Sequence, residues 1–273
     1  MGKITVRRKN RSSFELKTTK KTRHVRLAHE NPVAVDLSQL GDTPSLAEIS
    51  LNYETTLDAL DLGPLAGHPA LSSLSANVAR AIDLAPLAEC RALTRLALSI
   101  GGDDVLDFAP LRGHATLASV AVDYTGMQRA LDLAFVRDLP ALTSLSIAGG
   151  EWRTLDLSPL AGRALESLTL HRQYISSVDL SIVAQPALEF LMLQELEIEE
   201  GYLDLLPLAR CPKLRFLSLL GNEVGTLEVS GLAKLQHLKR FDPPNFKSMM
   251  MSSRFEPIAA PGLLAWKASI GVD

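Results

Sequence analysis

The sequence predicts an α/β solenoid, a curved horseshoe with a parallel β-sheet on its concave face and short 3₁₀ or helical turns on its convex face. Three observations carry this. An apolar–acid–apolar triplet recurs with starts at Val35, Leu60, Ile82, Leu106, Leu131, Leu155, Val178, Leu203 and Leu227, spaced 22 to 25 residues apart. Some ten residues after each triplet comes a second motif, L-x-x-L-x-L, as in Leu93, Leu96 and Leu98 or Leu142, Leu145 and Ile147. Between the two lies a short turn such as Ser158-Pro159-Leu160-Ala161-Gly162. Self-similarity at such a period marks a stacked-repeat architecture.

Each part of one coil follows from its residues. The last positions of L-x-x-L-x-L alternate, which suits a strand with one buried face. In the turn, Ser158 is expected to cap and Pro159 to take the first position of a helical turn. Too few residues separate the motifs for a long helix. No coil can bury its leucines alone, so stacked coils must share one continuous core.

The repeated acid needs its own account. With the flanking leucines inward, Asp36, Asp61, Asp83, Asp107, Asp132, Asp156, Asp179, Asp204 and Glu228 point outward in a column of like charge. Like charges on neighbouring strands are unfavourable by about 0.2–1 kcal/mol each. Each carboxylate is therefore expected to accept the backbone N–H groups of the turn that follows it. The functional alternative is a stripe for cations or a basic partner.

At this point the residues resemble the leucine-rich-repeat family, and the D-L-S-P-L-A phrasing of Asp156 to Ala161 is most similar to bacterial internalin-type repeats. The resemblance covers residues 22 to 243. It departs from the family at the Asn that follows the strand: Asn222 matches it, while Gly101, Thr125, Gly150, Gln173 and Leu196 stand there in other coils. What satisfies the buried loop amides in those coils is left open. The family resemblance implies a binding role rather than catalysis.

Composition bounds the rest. The charge is -3 over 273 residues, which demands neither nucleic acid nor membrane. No apolar run approaches the roughly 20 residues that span a bilayer, and the basic N-terminus lacks the apolar stretch of a secretory signal. The expected compartment is the cytoplasm. Cys90 and Cys211 occupy equivalent positions five coils apart, about 24 Å at strand spacing, too far for a disulfide. They read as small, partly buried loop residues. Gly-rich phosphate loops, His-x-x-x-His and Cys-x-x-Cys are missing, so no catalytic residue, metal site or cofactor is assigned. Arg95, Asp123 and His171 interrupt an outward face of small or hydroxylic residues without forming a Ser-His-Asp arrangement.

Three segments are expected. Residues 1–28 carry ten Lys or Arg against one acid, Glu15. Ile4 to Val6 and Phe14 to Leu16 alternate as a capping hairpin, and Val25 to Leu27 reads as a strand preceding the first repeat. Repeats fill residues 29–244, closed by Pro243-Pro244. Residues 245–273, with Met249 to Met251 and a short helical stretch around Leu263, Leu264 and Trp266, form a C-terminal cap or tail. The acidic stretches Asp103-Asp104 and Glu195 to Glu200 read as solvated surface.

The expected function is a non-enzymatic module that binds a protein partner through the concave face. In the alignment, one outward row runs Glu48, Ser73, Arg95, Ser119, Ser144, Ser167, Phe190, Phe216 and Arg240. Phe190, Met192, Phe216 and Leu220 are expected to form an apolar patch, with His171 and Arg240 beside it. The competing reading has residues 245–273 fold over that patch. The second function is binding of nucleic acid or an anionic surface by Arg7, Arg8, Lys9, Arg11, Lys20 and Lys21. No membrane partner is expected.

Overall fold

In the computed structural model every described L-x-x-L-x-L run is a short strand, and within each of two units parallel pairing of these strands places one coil beside the next. The structure describes residues 2–27, 32–40, 42–51, 56–103, 105–126, 131–150, 155–175, 178–198, 201–250 and 264. The chain divides into two units, Met1–Gln128 with Ala134–Leu142, and Arg129–Leu133 with Thr143–Asp273.

The first unit contains β1 (Gly2–Arg8), β2 (Ser13–Thr18), β3 (His24–Arg26), β4 (Pro32–Asp36), β5 (Glu48–Leu51), β6 (Ser73–Val78), β7 (Arg95–Ile100) and β8 (Ser119–Tyr124). Strands β3, β5, β6, β7 and β8 pair in parallel in that order. Register puts Val25 beside Ile49, Ile49 beside Leu74, Leu74 beside Leu96 and Leu96 beside Val120. All five are buried. The alternate row, Glu48, Ser73, Arg95 and Ser119, faces outward with partial or full exposure.

At its N-terminal end β1 pairs antiparallel with both β2 and β4. The hairpin expected from the alternation is there, and it caps the first triplet: Ile4 and Val6 are fully buried, and Val6 lies opposite Val35. A three-stranded sheet in the order β2-β1-β4 results.

The second unit contains β9 (Ser144–Gly149), β10 (Ser167–Ile175), β11 (Phe190–Ile198), β12 (Tyr202–Asp204), β13 (Phe216–Ser218), β14 (Glu223–Glu228), β15 (Arg240–Asp242) and β16 (Asn245–Met250). Strands β9, β10, β11, β13 and β15 pair in parallel, with Leu145, Leu168, Leu191 and Leu217 in one fully buried row. On the opposite side of the coils the triplets form their own ladder, β12-β14-β16. There Phe246 lies beside Val224 and Met249 beside Leu227. This ladder runs six residues past the repeat boundary expected at 244; residues 251–263 and 265–273 lie outside the described residues.

The acids do what their position requires. Asp36, Asp61, Asp83, Asp107, Asp156, Asp179, Asp204 and Glu228 each accept the amide N–H two residues on, at 2.7–2.8 Å. A bond of this kind contributes about 0.5–2 kcal/mol at a helix start, enough to offset repulsion down the column. The Ser38 and Ser181 hydrogen bonds hold the carboxyls of Asp36 and Asp179 below the usual range. Ser158 does not cap its turn. The capping position is Leu157, the 3₁₀ segment spans Ser158–Leu160 with Pro159 in its first residues, and Ser158 instead gives both its N–H and its hydroxyl to Asp156. The same Pro-containing turn recurs at Gly63–Leu65, Ala85–Leu87 and Ala109–Leu111. In one coil Asp179 caps a four-residue α-helix, α1 (Leu180–Val183).

Loop amides and carbonyls are satisfied by several chemistries in place of an Asn column. Asn222, fully buried, donates to the carbonyls of Leu193 and Leu219 and accepts from the N–H of Leu196. Gln173 donates to the Ile147 carbonyl at 3.0 Å and Thr125 to that of Ile100 at 3.3 Å. At Gly101 the backbone itself comes close: an added Cβ would stand 3.0 Å from the Ala79 oxygen.

Seven residues after most of the acids, and six after Asp179, lies an inward position where polar side chains reach the previous coil. His68 Nε2 lies 2.9 Å from the Thr43 oxygen, and the Cys90 thiol donates to the Leu65 oxygen at 3.2 Å. Both cysteines are free and fully buried rather than partly so; burial pushes the Cys211 thiol up to about 11. His114 breaks the pattern. It is 6% exposed and neither ring nitrogen has a hydrogen-bond partner among the described residues. An unmade bond at a buried polar atom costs about 1–3 kcal/mol, and other coils hold Leu139 or Leu235 here, both fully buried. His114→Leu is expected to stabilise the protein by about 1–3 kcal/mol, seen as a higher urea midpoint; a lower midpoint would show that the imidazole has a partner.

Candidate functional site

The outward face of the first unit is low and polar. Around Arg95 stand Ser73, Ala97 and Ser119, with Ser75, Ser99 and Ala121 further along. At its edge Glu48 is engaged by Arg26 at 2.9 Å and His24 at 3.2 Å, and its carboxyl is held below the usual range chiefly by the Arg26 hydrogen bond.

The outward face of the second unit changes character from strand to strand. Ser144 and Ser167 are followed in the same row by Phe190, Phe216 and Arg240. Parallel in-register pairing brings identical side chains one strand apart, and the two rings stack with centroids 4.4 Å apart and planes 4° from parallel. Arg240 lies on the other side of Phe216, its guanidinium carbon 5.3 Å from the ring centre. Such stacked and cation–π pairs each contribute about 0.5–1.5 kcal/mol. Both phenylalanines remain half-buried.

The next outward row is Ser146, Thr169, Met192, Ser218 and Asp242. Met192 extends the apolar shelf. Ser218 points outward yet is fully buried, because Gln194 reaches across to its hydroxyl. Asp242 takes the Arg240 Nε at 3.0 and 2.9 Å through its two oxygens and raises the basicity of that guanidinium.

These contacts correct the expected patch. Phe190, Phe216 and Met192 are brought together. Leu220 is 46% exposed but lies in the turn after β13, beyond the Gln194–Ser218 pair, so a polar band separates it from the rings. His171 stands beside Gln194 in register and pairs with Glu195 at 3.4 Å, on the rim of the shelf. Of the tail expected to cover this face, residues 245–250 pair instead with β14 in the other sheet. Sequence reading missed Gln194 and Asp242 as parts of the site. Asp242 was within reach, since residues two apart on a strand share a face.

The basic N-terminal set is split. Arg7, Arg8, Lys9 and Arg11 gather at the β1–β2 turn, while Lys20 and Lys21 follow the far end of β2, about 17 Å away along six residues of strand. Acids of the repeats or hairpin take several of the charges: Lys3 pairs with Glu15 at 2.6 Å, Arg7 with Asp58 at 3.7 Å and Lys20 with Asp42 at 3.0 Å. Arg8 lies over the Phe14 ring at 4.4 Å. Among the described residues no group of three His, Cys, Asp or Glu is placed to hold a metal ion, and no helix is long and apolar enough to cross a membrane.

No protein-family model matches the sequence, and no curated protein matches it. Solved structures do. One is an internalin, InlF, from Listeria monocytogenes, at 21% identity over 80% of this chain and 71% of that one, with a TM-score of 0.51. A structure of the mouse RP105/MD-1 complex matches over 90% of this chain and 44% of that one at 19% identity, TM-score 0.61. The plant peptide hormone receptor RGFR1, in complex with RGF2, matches over 77% and 38% at 16% identity, TM-score 0.53. With its repeated strands, Pro-containing turns and inward leucine rows, the chain has the leucine-rich-repeat fold.

Proposed function

We propose that the protein is a non-enzymatic interaction module that binds another protein through the outward face of the second unit's sheet. The observation that carries this reading is the stacked Phe190–Phe216 pair, half-exposed between a strand that presents Ser167 and Thr169 and one that presents Arg240 and Asp242. Aromatic and Arg side chains grouped inside a polar rim are what interface hot spots combine, and an exposed apolar patch on a polar surface marks a contact site. The same fold carries a partner in the RGFR1–RGF2 and RP105/MD-1 structures.

The test is the double substitution Phe190→Ser, Phe216→Ser. Neither ring belongs to the leucine core, so the loss of stability is expected to stay within the about 1–3 kcal/mol that the ring stack and the Arg240 contact together supply. Saturable capture of a partner from the native source should weaken at least tenfold, the loss of a 1.4 kcal/mol hot spot. A midpoint that falls sharply would mean that the rings are structural, and the binding assignment would fail.

A further inference from the structure

We propose that the Phe190–Phe216–Arg240 corner binds an acidic peptide segment, with an apolar side chain resting on the ring edges and an Asp or Glu carboxylate on the outer nitrogens of Arg240. The proposal rests on the interaction reading above and names the chemistry of the partner.

Arg240 carries the argument. A guanidinium offers five N–H donors in a rigid fork suited to two-point carboxylate binding. Here only Nε is used: both oxygens of Asp242 approach that one nitrogen, at 3.0 and 2.9 Å. The two terminal amino groups have no acceptor among the described residues, and the side chain is 62% exposed. Asp242 from below and the Phe216 ring from the side hold the group in place. A cation oriented in advance loses little freedom when its ligand arrives.

The rings select the same kind of ligand. Phe190 covers one side of Phe216 and Arg240 the other. Phe216 has a neighbour on each face, so a nucleobase, which single-stranded nucleic acid stacks on an aromatic face, could rest only on the outer face of Phe190, above Ser167. What Phe216 presents to solvent is its edge, which carries the positive end of the ring quadrupole and so favours carboxylate and carbonyl oxygens. The charges next to the rings are mixed: Arg215, just before Phe216, pairs with Glu189, just before Phe190, at 3.6 Å, so the exposed end of Arg240 is the cationic group that the corner offers a ligand. At the other side of the shelf Ser167 and Thr169 lie beside Phe190 and Met192 and leave a low floor for an extended chain.

The probe is a phage-displayed library of random twelve-residue peptides, selected on the full chain and followed by fluorescence anisotropy of the selected peptides. The expected sequences carry Asp or Glu within a few positions of a large apolar residue. Arg240→Gln should weaken their binding tenfold or more while the protein still unfolds cooperatively, its midpoint lowered by no more than the loss of one exposed cation–π contact and ion pair, whereas Arg95→Gln, on the first unit's face, should leave binding unchanged. Replacing the peptide's acid by its amide should weaken binding to the wild type and add nothing further in the Arg240→Gln protein. Peptides that need Phe190 and Phe216 but neither an acid nor Arg240 overturn this inference and leave the interaction reading standing. Selected peptides indifferent to the Phe190→Ser, Phe216→Ser pair, or a library that yields none, overturn both. Arg240-dependent binding of a labelled oligothymidine at about 150 mM salt, with no acidic peptide selected, assigns the corner to nucleic acid and also overturns the proposal.

Discussion

Leu168→Ala is expected to destabilise the protein by about 2–5 kcal/mol in urea unfolding. The side chain is fully buried between Leu145 and Leu191, its register partners on either side, and both are themselves buried. Removing its branched end leaves a hole in a row that neighbouring strands cannot close without losing their own register. Because each coil rests only on its neighbours, interface strength enters the total directly. The neighbouring Ser167, outward and half-exposed, is the control: Ser167→Ala should change stability by less than about 0.5 kcal/mol. Equal effects at the two positions would mean that the strand faces are assigned the wrong way round.

Asn222→Ala is expected to be at least as damaging, through hydrogen bonds rather than volume. The fully buried amide donates to the Leu193 and Leu219 oxygens at 2.6 Å each and accepts from the Leu196 N–H at 2.8 Å. Alanine leaves three buried main-chain groups without those partners, and each costs about 1–3 kcal/mol when water cannot reach it. A net loss of about 3–5 kcal/mol is expected after partial relaxation. Asn222→Thr should fall between, since the hydroxyl of Thr125 at the corresponding place donates to one carbonyl. Denaturation of the three proteins side by side checks the order; a threonine variant weaker than the alanine variant would contradict it.

Much of this was readable from the chain because the solenoid repeats its own evidence. One L-x-x-L-x-L could be a strand or part of a helix, but its recurrence at 22 to 25 residues fixes the face and the register together. The rows from Glu48 to Ser119 and from Ser144 to Arg240 follow from that spacing, and the acids could be assigned to turn amides because like charges at strand spacing require a partner. What escaped was set by single residues. Leu220 was placed on the shelf by extending the strand, but β13 stops at Ser218, and the chain turns at Gly221, whose φ of 77° favours glycine. The basic residues near the N-terminus are close in sequence and lie at both ends of a strand in space. Gln194 crossing to Ser218, and the buried reach of His68 and Cys90 to the preceding coil, depend on side-chain lengths that a repeat alignment does not weigh.

The coil-to-coil bonds have a kinetic meaning as well. Side-chain links between neighbouring coils join residues 22 to 29 positions apart, whether Thr94 to Ser72, Gln185 to Leu160 or Asn222 to Leu193. Loop-closure entropy grows only slowly with loop length, and here every loop is about the same. Once two coils have docked, each further coil closes a loop of one repeat and gains a full neighbour interface. Parallel sheets are ordinarily slow to form because their strands are far apart in sequence. In each unit, nucleation at one pair of coils followed by growth coil by coil is expected to spare the chain that search, leaving the first docking as the expected slow step, which single-exponential refolding in stopped-flow mixing would check.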